Sequence, residues 1–142
     1  MDRHRDPAEI PNVLVESVLM AVILIVEDDV FIRELTEMLI QEWGYQTILA
    51  SDVEEALVIL RSSQRIDALF TDIYLKTAVC GGFDLARQAV ALRPELHVLY
   101  TTGNFVTDDM KIKFVEGTEC LRKPYTPLQL QQSFEGFFAT QH

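Results

Sequence analysis

Ile66-Asp67-Ala68-Leu69-Phe70-Thr71-Asp72 is a short apolar run that closes on a carboxylate and opens into Ile73-Tyr74-Leu75-Lys76. Such a run, carrying β-branched and aromatic residues, reads as a buried strand of a parallel sheet. In open α/β sheets the working residues stand just past the carboxyl ends of the strands, and Asp72 has that address. An Asp after a strand also caps turns. The other strand ends decide between the two readings.

Upstream, residues 22–26 form an unbroken apolar strand that ends on Glu27-Asp28-Asp29. Asp29 is the expected N-cap of a helix in which Ile32, Leu35, Leu39 and Trp43 recur at three- and four-residue spacing before Gly44. Residues 45–50 read as a second strand. Ser51 with Glu54 then suggests a capping box for a helix turning Val53, Ala56, Leu57 and Leu60 inward. Downstream, the loop 73–82 opens a helix with Leu85, Ala89 and Leu92 on one face, ended near Arg93-Pro94. Residues 97–101 are a fourth strand, followed by Thr102-Gly103. Val106, Met110 and Phe114 mark a thin helical stripe, residues 119–122 a fifth strand, and Lys123-Pro124 its end. Thr126, Pro127 and Gln129 start a last helix with Leu130, Phe134 and Phe137 or Phe138 facing in, one phenylalanine ring of this group being left exposed. Five strands alternating with five helices predict a doubly wound parallel α/β sheet.

The chain has 142 residues, 49% hydrophobic and 24% charged, with a net charge of −10. That suits one domain with one core, and it argues against direct nucleic-acid binding, because nothing would neutralise phosphates. Partners are expected to be proteins or cations. Cys80 and Cys120 form no CxxC, so neither a disulfide framework nor a zinc site is expected, and the location expected is cytoplasmic. The longest apolar run is about half of what a bilayer requires, so no membrane span is expected. Residues 1–20 read as an N-terminal extension, polar over 1–9 and apolar from Ile10, and residues 21–142 as the domain. Met20 is an alternative natural start, since it would open the domain directly on its first strand.

Four strand ends each offer a polar group: Glu27 and Asp28, then Asp72, Thr102 and Lys123. In a doubly wound sheet these lie on one edge. Carboxylates gathered there repel by about 3 kcal/mol per pair at ~5 Å and an effective dielectric near 20. A hard divalent cation with oxygen ligands, Mg²⁺ above all, relieves that repulsion, and Lys123 can hold the opposite flank. Metal, ammonium and hydroxyl around one carboxylate are what a phosphoryl group needs, with the carboxylate as its acceptor.

The chain resembles the receiver domain of bacterial two-component response regulators, of the stand-alone single-domain type, over about residues 21–138. The resemblance rests on Val26-Glu27-Asp28-Asp29, Asp72, Thr102-Gly103 and Lys123-Pro124-Tyr125 taken in order. It implies a flavodoxin-like strand order 2-1-3-4-5. It also implies Asp72 as phosphoacceptor, Glu27, Asp28, Asp72 and the Tyr74 carbonyl as Mg²⁺ ligands, Thr102 and Lys123 on the phosphoryl group, and a cis Lys123-Pro124 bond. The implied partners are a sensor histidine kinase or phosphotransfer protein and a downstream protein target, with a homodimer left open. No output domain follows within the 142 residues, so output through protein binding is expected. Such a protein is no enzyme beyond catalysing its own phosphorylation and dephosphorylation.

Two departures stand out. The loop 73–82 lacks the family's usual Met-Pro pair and is about two residues longer, and Cys120 stands where the family commonly has an aromatic switch residue. Rival readings are a phosphorylation-independent docking module and an Asp-nucleophile phosphatase of the haloacid dehalogenase type. The phosphatase needs a second acid two residues after its nucleophile, where this chain has Tyr74.

Overall fold

The structure, a computed structural model, describes residues 21–75 and 81–139. The apolar stretch from Ile10, the choice of Met20 as a start and most of the unusual loop after Asp72 lie outside the described residues. In chain order the elements are β1 (Val22–Val26), α1 (Val30–Glu42), β2 (Gln46–Ala50), α2 (Val53–Arg61) and β3 (Ala68–Asp72). These are followed by α3 (Gly81–Leu92), β4 (His97–Thr102), α4 (Asp108–Ile112), β5 (Glu119–Arg122) and α5 (Pro127–Ala139). All pairings are parallel and the sheet order is β2-β1-β3-β4-β5. The expected doubly wound α/β fold is the one observed.

Every residue of β1 and β3 is buried, as expected for strands covered on both faces. Alternate side chains feed two cores. Leu24, Val26 and Leu69 join Ala56, Leu57 and Leu60 of α2 and Phe83, Leu85 and Ala89 of α3. Ile23, Ile25 and Phe70 join Ile40 of α1 and Leu130, Phe134, Phe137 and Phe138 of α5. Each large side chain so buried contributes roughly 1.5–3 kcal/mol. The strand ends therefore project from a rigid scaffold.

Local sequence fixes the helix starts. Asp29 Oδ1 accepts from the Phe31 and Ile32 N–H groups at 3.0 and 3.1 Å, capping α1. Thr126 and Gln129 form the expected reciprocal box at α5, at 2.8 and 3.1 Å. The box expected from Ser51 and Glu54 lies one residue later. Asp52 accepts from the Glu55 N–H and Glu55 reaches back to the Ser51 N–H, a phase that buries Ala56, Leu57 and Leu60.

Four further expectations are corrected. No phenylalanine of α5 is left exposed: Phe134, Phe137 and Phe138 are all buried, because Tyr45 and His97 supply rings that pack on them. The helix α4 covers only five residues, and Val106 and Phe114 flank it from loop positions. Leu92 ends α3 on an exposed position while Leu85 and Ala89 are buried. In α1 the buried residues are Thr36 and Ile40, whereas Ile32 and Leu35 lie at the surface beside the β5–α5 turn. Among the described residues, no helix is long and apolar enough to cross a membrane.

Candidate functional site

Parallel register sets the site. Val26 pairs with Thr71, Asp72 with Thr101, and Thr102 with Arg122, so Glu27, Asp72, Thr102 and Lys123 emerge at one edge of the sheet. The order in which strands are added to the sheet reverses between β1 and β3, which places Asp72 beside the switch point where such sheets bind their ligands.

The centre is an ion-paired triad. Lys123 Nζ lies 2.9 Å from Asp72 Oδ2 and 3.4 Å from Glu27 Oε1. The other Asp72 oxygen, Oδ1, accepts from the Tyr74 N–H at 3.3 Å. Glu27 is held on all sides: Oε2 accepts from the Asp29 N–H at 3.1 Å, its N–H donates to Ala50 O, and its carbonyl accepts from Arg33 Nη1 at 2.7 Å. The fully buried Thr102 hydroxyl accepts from the Asn104 N–H at 3.1 Å, and Thr102 O accepts from the Lys123 N–H at 2.7 Å. The Lys123-Pro124 peptide is cis.

Electrostatics follow from this crowding. Burial raises the Glu27 carboxyl above its ordinary range and the Asp72 charge adds to that, against the Asp29 N–H and the Lys123 ammonium, which lower it. Burial alone would pull Lys123 down, but the hydrogen bond and charge of Asp72, then those of Glu27, outweigh it and raise it. Lys123 is thus a fixed cation. The Cys120 thiol is pushed up to about 11, by burial first and then by the Asp72 charge, so it stays a neutral packing residue.

The structure thus brings Asp72, Glu27 and Lys123 into direct contact, with Asp28 half-buried in the adjoining turn. Among the described residues, no three His, Cys, Asp or Glu side chains stand together as a ready cage for a metal. The ammonium of Lys123 bridges two of the acids. The donors nevertheless fit Mg²⁺, which takes oxygen ligands and keeps several waters, so it needs only one or two carboxylates. Sequence reasoning missed Arg33, although a cation one turn after an acidic loop was a usable signal.

The family model for the response regulator receiver domain matches residues 23–135. The chain belongs to that family. Among relatives of this receiver, an uncharacterised transcriptional regulatory protein of Bacillus subtilis, YbdJ, is 27% identical over 108 residues, 76% of this chain. The chain spans about half that relative's length, 46%. A response regulator receiver protein from Sinorhizobium medicae has the same fold at a TM-score of 0.79 and 23% identity, over 87% of this chain and 98% of its own. The receiver domain of a sensor histidine kinase from Pseudomonas aeruginosa, with a magnesium ion coordinated in its active-site cleft, gives 0.72 and 23% over 85% and 99%. A receiver places this chain in two-component signalling as a phosphoacceptor module.

Proposed function

We propose that residues 21–142 are a receiver that takes one phosphoryl group on Asp72, with residues 1–20 as an extension. The observation that carries this reading is the Lys123–Asp72 contact at the switch point of the sheet, with Glu27 beside it. An oxygen of the Asp72 carboxylate attacks the phosphorus of the donor, the bond to the donor's leaving group breaks, and the electron pair departs with that group. Lys123 stays beside the new acyl phosphate as a counter-charge, and the Thr102 hydroxyl is the group that bonds a phosphoryl oxygen.

Glu27, Asp28, the remaining Asp72 oxygen and the Tyr74 carbonyl would hold Mg²⁺. When bound, the cation neutralises charge on the transferring phosphoryl group. The magnesium in the Pseudomonas aeruginosa receiver supports this assignment, as does the placing of Glu27 and Asp72 on one ammonium.

The donor is a histidine kinase or a phosphotransfer protein. Phe31, Leu35 and Met38 are exposed along α1, and an apolar groove of about 400 Å³ beside them is lined by Ile32, Leu39, Pro124, Tyr125 and Lys123 itself. That surface is continuous with the site, so a protein seated there has its phosphohistidine near Asp72. Output runs through binding of a downstream protein in the cytoplasm, with no nucleic acid contacted directly by this domain. Intact mass after incubation with a small phosphodonor, with and without Mg²⁺, tests the reading. One added phosphoryl group, only with the cation, is expected. Uptake that ignores Mg²⁺ would refute the metal assignment.

A further inference from the structure

We propose that Gly82 is a positioning residue for Asp72. This rests on the phosphoacceptor reading and adds to it the element that aims the carboxylate. Gly82 is buried in the first turn of α3, and a Cβ built on it would overlap the Asp72 carbonyl oxygen and lie 2.8 Å from Ile73 Cα and 3.0 Å from the Asp72 carbonyl carbon. All three are backbone atoms, so no side-chain rotation can make room. The positive-φ glycines here are Gly44 and Gly117, so the need at Gly82 is for space.

The close approach holds the start of the loop. Gly82 N–H donates to Ile73 O at 3.0 Å, while Ile73 N–H donates to Thr101 O at 2.9 Å. Ile73 is thereby pinned between α3 and β4. Thr71 Oγ1 donates to the Asp72 carbonyl at 3.0 Å, holding that group from another side. The next amide, Tyr74 N–H, is the one that orients Asp72 Oδ1. A methyl group at residue 82 would separate α3 from the end of β3, carry the Tyr74 peptide with it and turn the carboxylate away from its resting geometry. That peptide also carries the carbonyl assigned to Mg²⁺.

The test compares wild type, Gly82→Ala and Gly136→Ala. Gly136 lies in α5, where an added Cβ meets nothing within 4 Å. Three quantities are measured: Mg²⁺ affinity, the rate of phosphoryl uptake from a small phosphodonor, and Tyr74 amide exchange in metal-free protein. In folded Gly82→Ala, Mg²⁺ affinity should fall about tenfold or more, the order seen when a ligand's supporting contact is lost. Uptake should slow and Tyr74 exchange should accelerate, while Gly136→Ala matches wild type. A folded Gly82→Ala with wild-type affinity, uptake and exchange would overturn the inference alone. Wild type with neither Mg²⁺ binding nor phosphoryl uptake would overturn the phosphoacceptor reading and this inference with it. If Gly82→Ala does not fold, exchange in wild type decides. Gly82 and Tyr74 amides slowing together on Mg²⁺ addition support the coupling, and Tyr74 slowing while Gly82 does not refutes it.

Discussion

The Nζ of Lys123 lies 2.9 Å from Oδ2 of Asp72, across 51 residues of chain. The two side chains reach each other because β5 and β3 both flank β4, with Lys123 one residue past β5 and Asp72 the last residue of β3. The ammonium is the standing counter-charge of a buried carboxylate and is shared with Glu27.

On the proposed assignment Mg²⁺ would bind the folded site and not the unfolded chain, so it should stabilise the fold by mass action. The gain reaches about 2.7 kcal/mol at a hundred times the dissociation constant. Asp28→Asn should shift the thermal midpoint less at equal Mg²⁺. A midpoint that ignores Mg²⁺ up to saturating concentration would count against the metal site.

Much of this was legible in the sequence because β1 and β3 are continuous apolar runs that end on carboxylates, and parallel strands bring such ends to one edge. The reciprocal box at Thr126 and Gln129 was legible for a local reason, since both partners lie within one turn. Ile32 and Leu35 carry helical spacing and yet face solvent, because periodicity finds an apolar stripe and not what covers it. Arg33 on the Glu27 carbonyl stands one turn after the acidic loop and carried a local signal, whereas the fit of Gly82 against Asp72 depends on how separate elements meet, which no local pattern encodes.

Glu27 gives the metal-free protein a pH dependence on the acid side. Its carboxyl is raised in the fold from 4.5, chiefly by burial, so the folded chain holds that proton more tightly than the unfolded one. Its stabilising share is present below 4.5 and is lost as pH rises through the folded value. Urea unfolding of Glu27→Gln across that range should lack this component, and saturating Mg²⁺ should shrink it in wild type. An identical profile for both proteins would contradict the assignment.

His97 acts in the opposite direction. It stacks on Phe137 with ring centroids 5.0 Å apart, and burial lowers its pKa below 6.5, opposed by the Asp67 charge. The unfolded chain then binds the proton more readily, so stability falls as pH drops from 6.5 towards the folded value. His97→Phe should flatten that part of the profile. A slope between pH 7 and 5 that survives the substitution would assign it elsewhere.

Phosphoryl loss is expected to be slow. By resemblance to other receivers, the positions two after Asp72 and two after Thr102 flank the path of the hydrolytic water, and here they are Tyr74 and Asn104. The partly buried Tyr74 ring packs against the core cluster and offers no small polar group to orient water, and Asn104 is a poor base. Tyr74→Asn should shorten the half-life of the phosphorylated protein, read by the decay of its intact mass after donor removal. Equal half-lives would remove Tyr74 from that role.

The central claim is that Asp72 alone receives the phosphoryl group. Reduction of the acyl phosphate with borohydride followed by peptide mass mapping locates it, in wild type and in Asp72→Asn. The account predicts one modified site in wild type, at Asp72, and none in the variant. Modification at Glu27, Asp28 or another carboxylate in wild type, or undiminished uptake by Asp72→Asn, would contradict it.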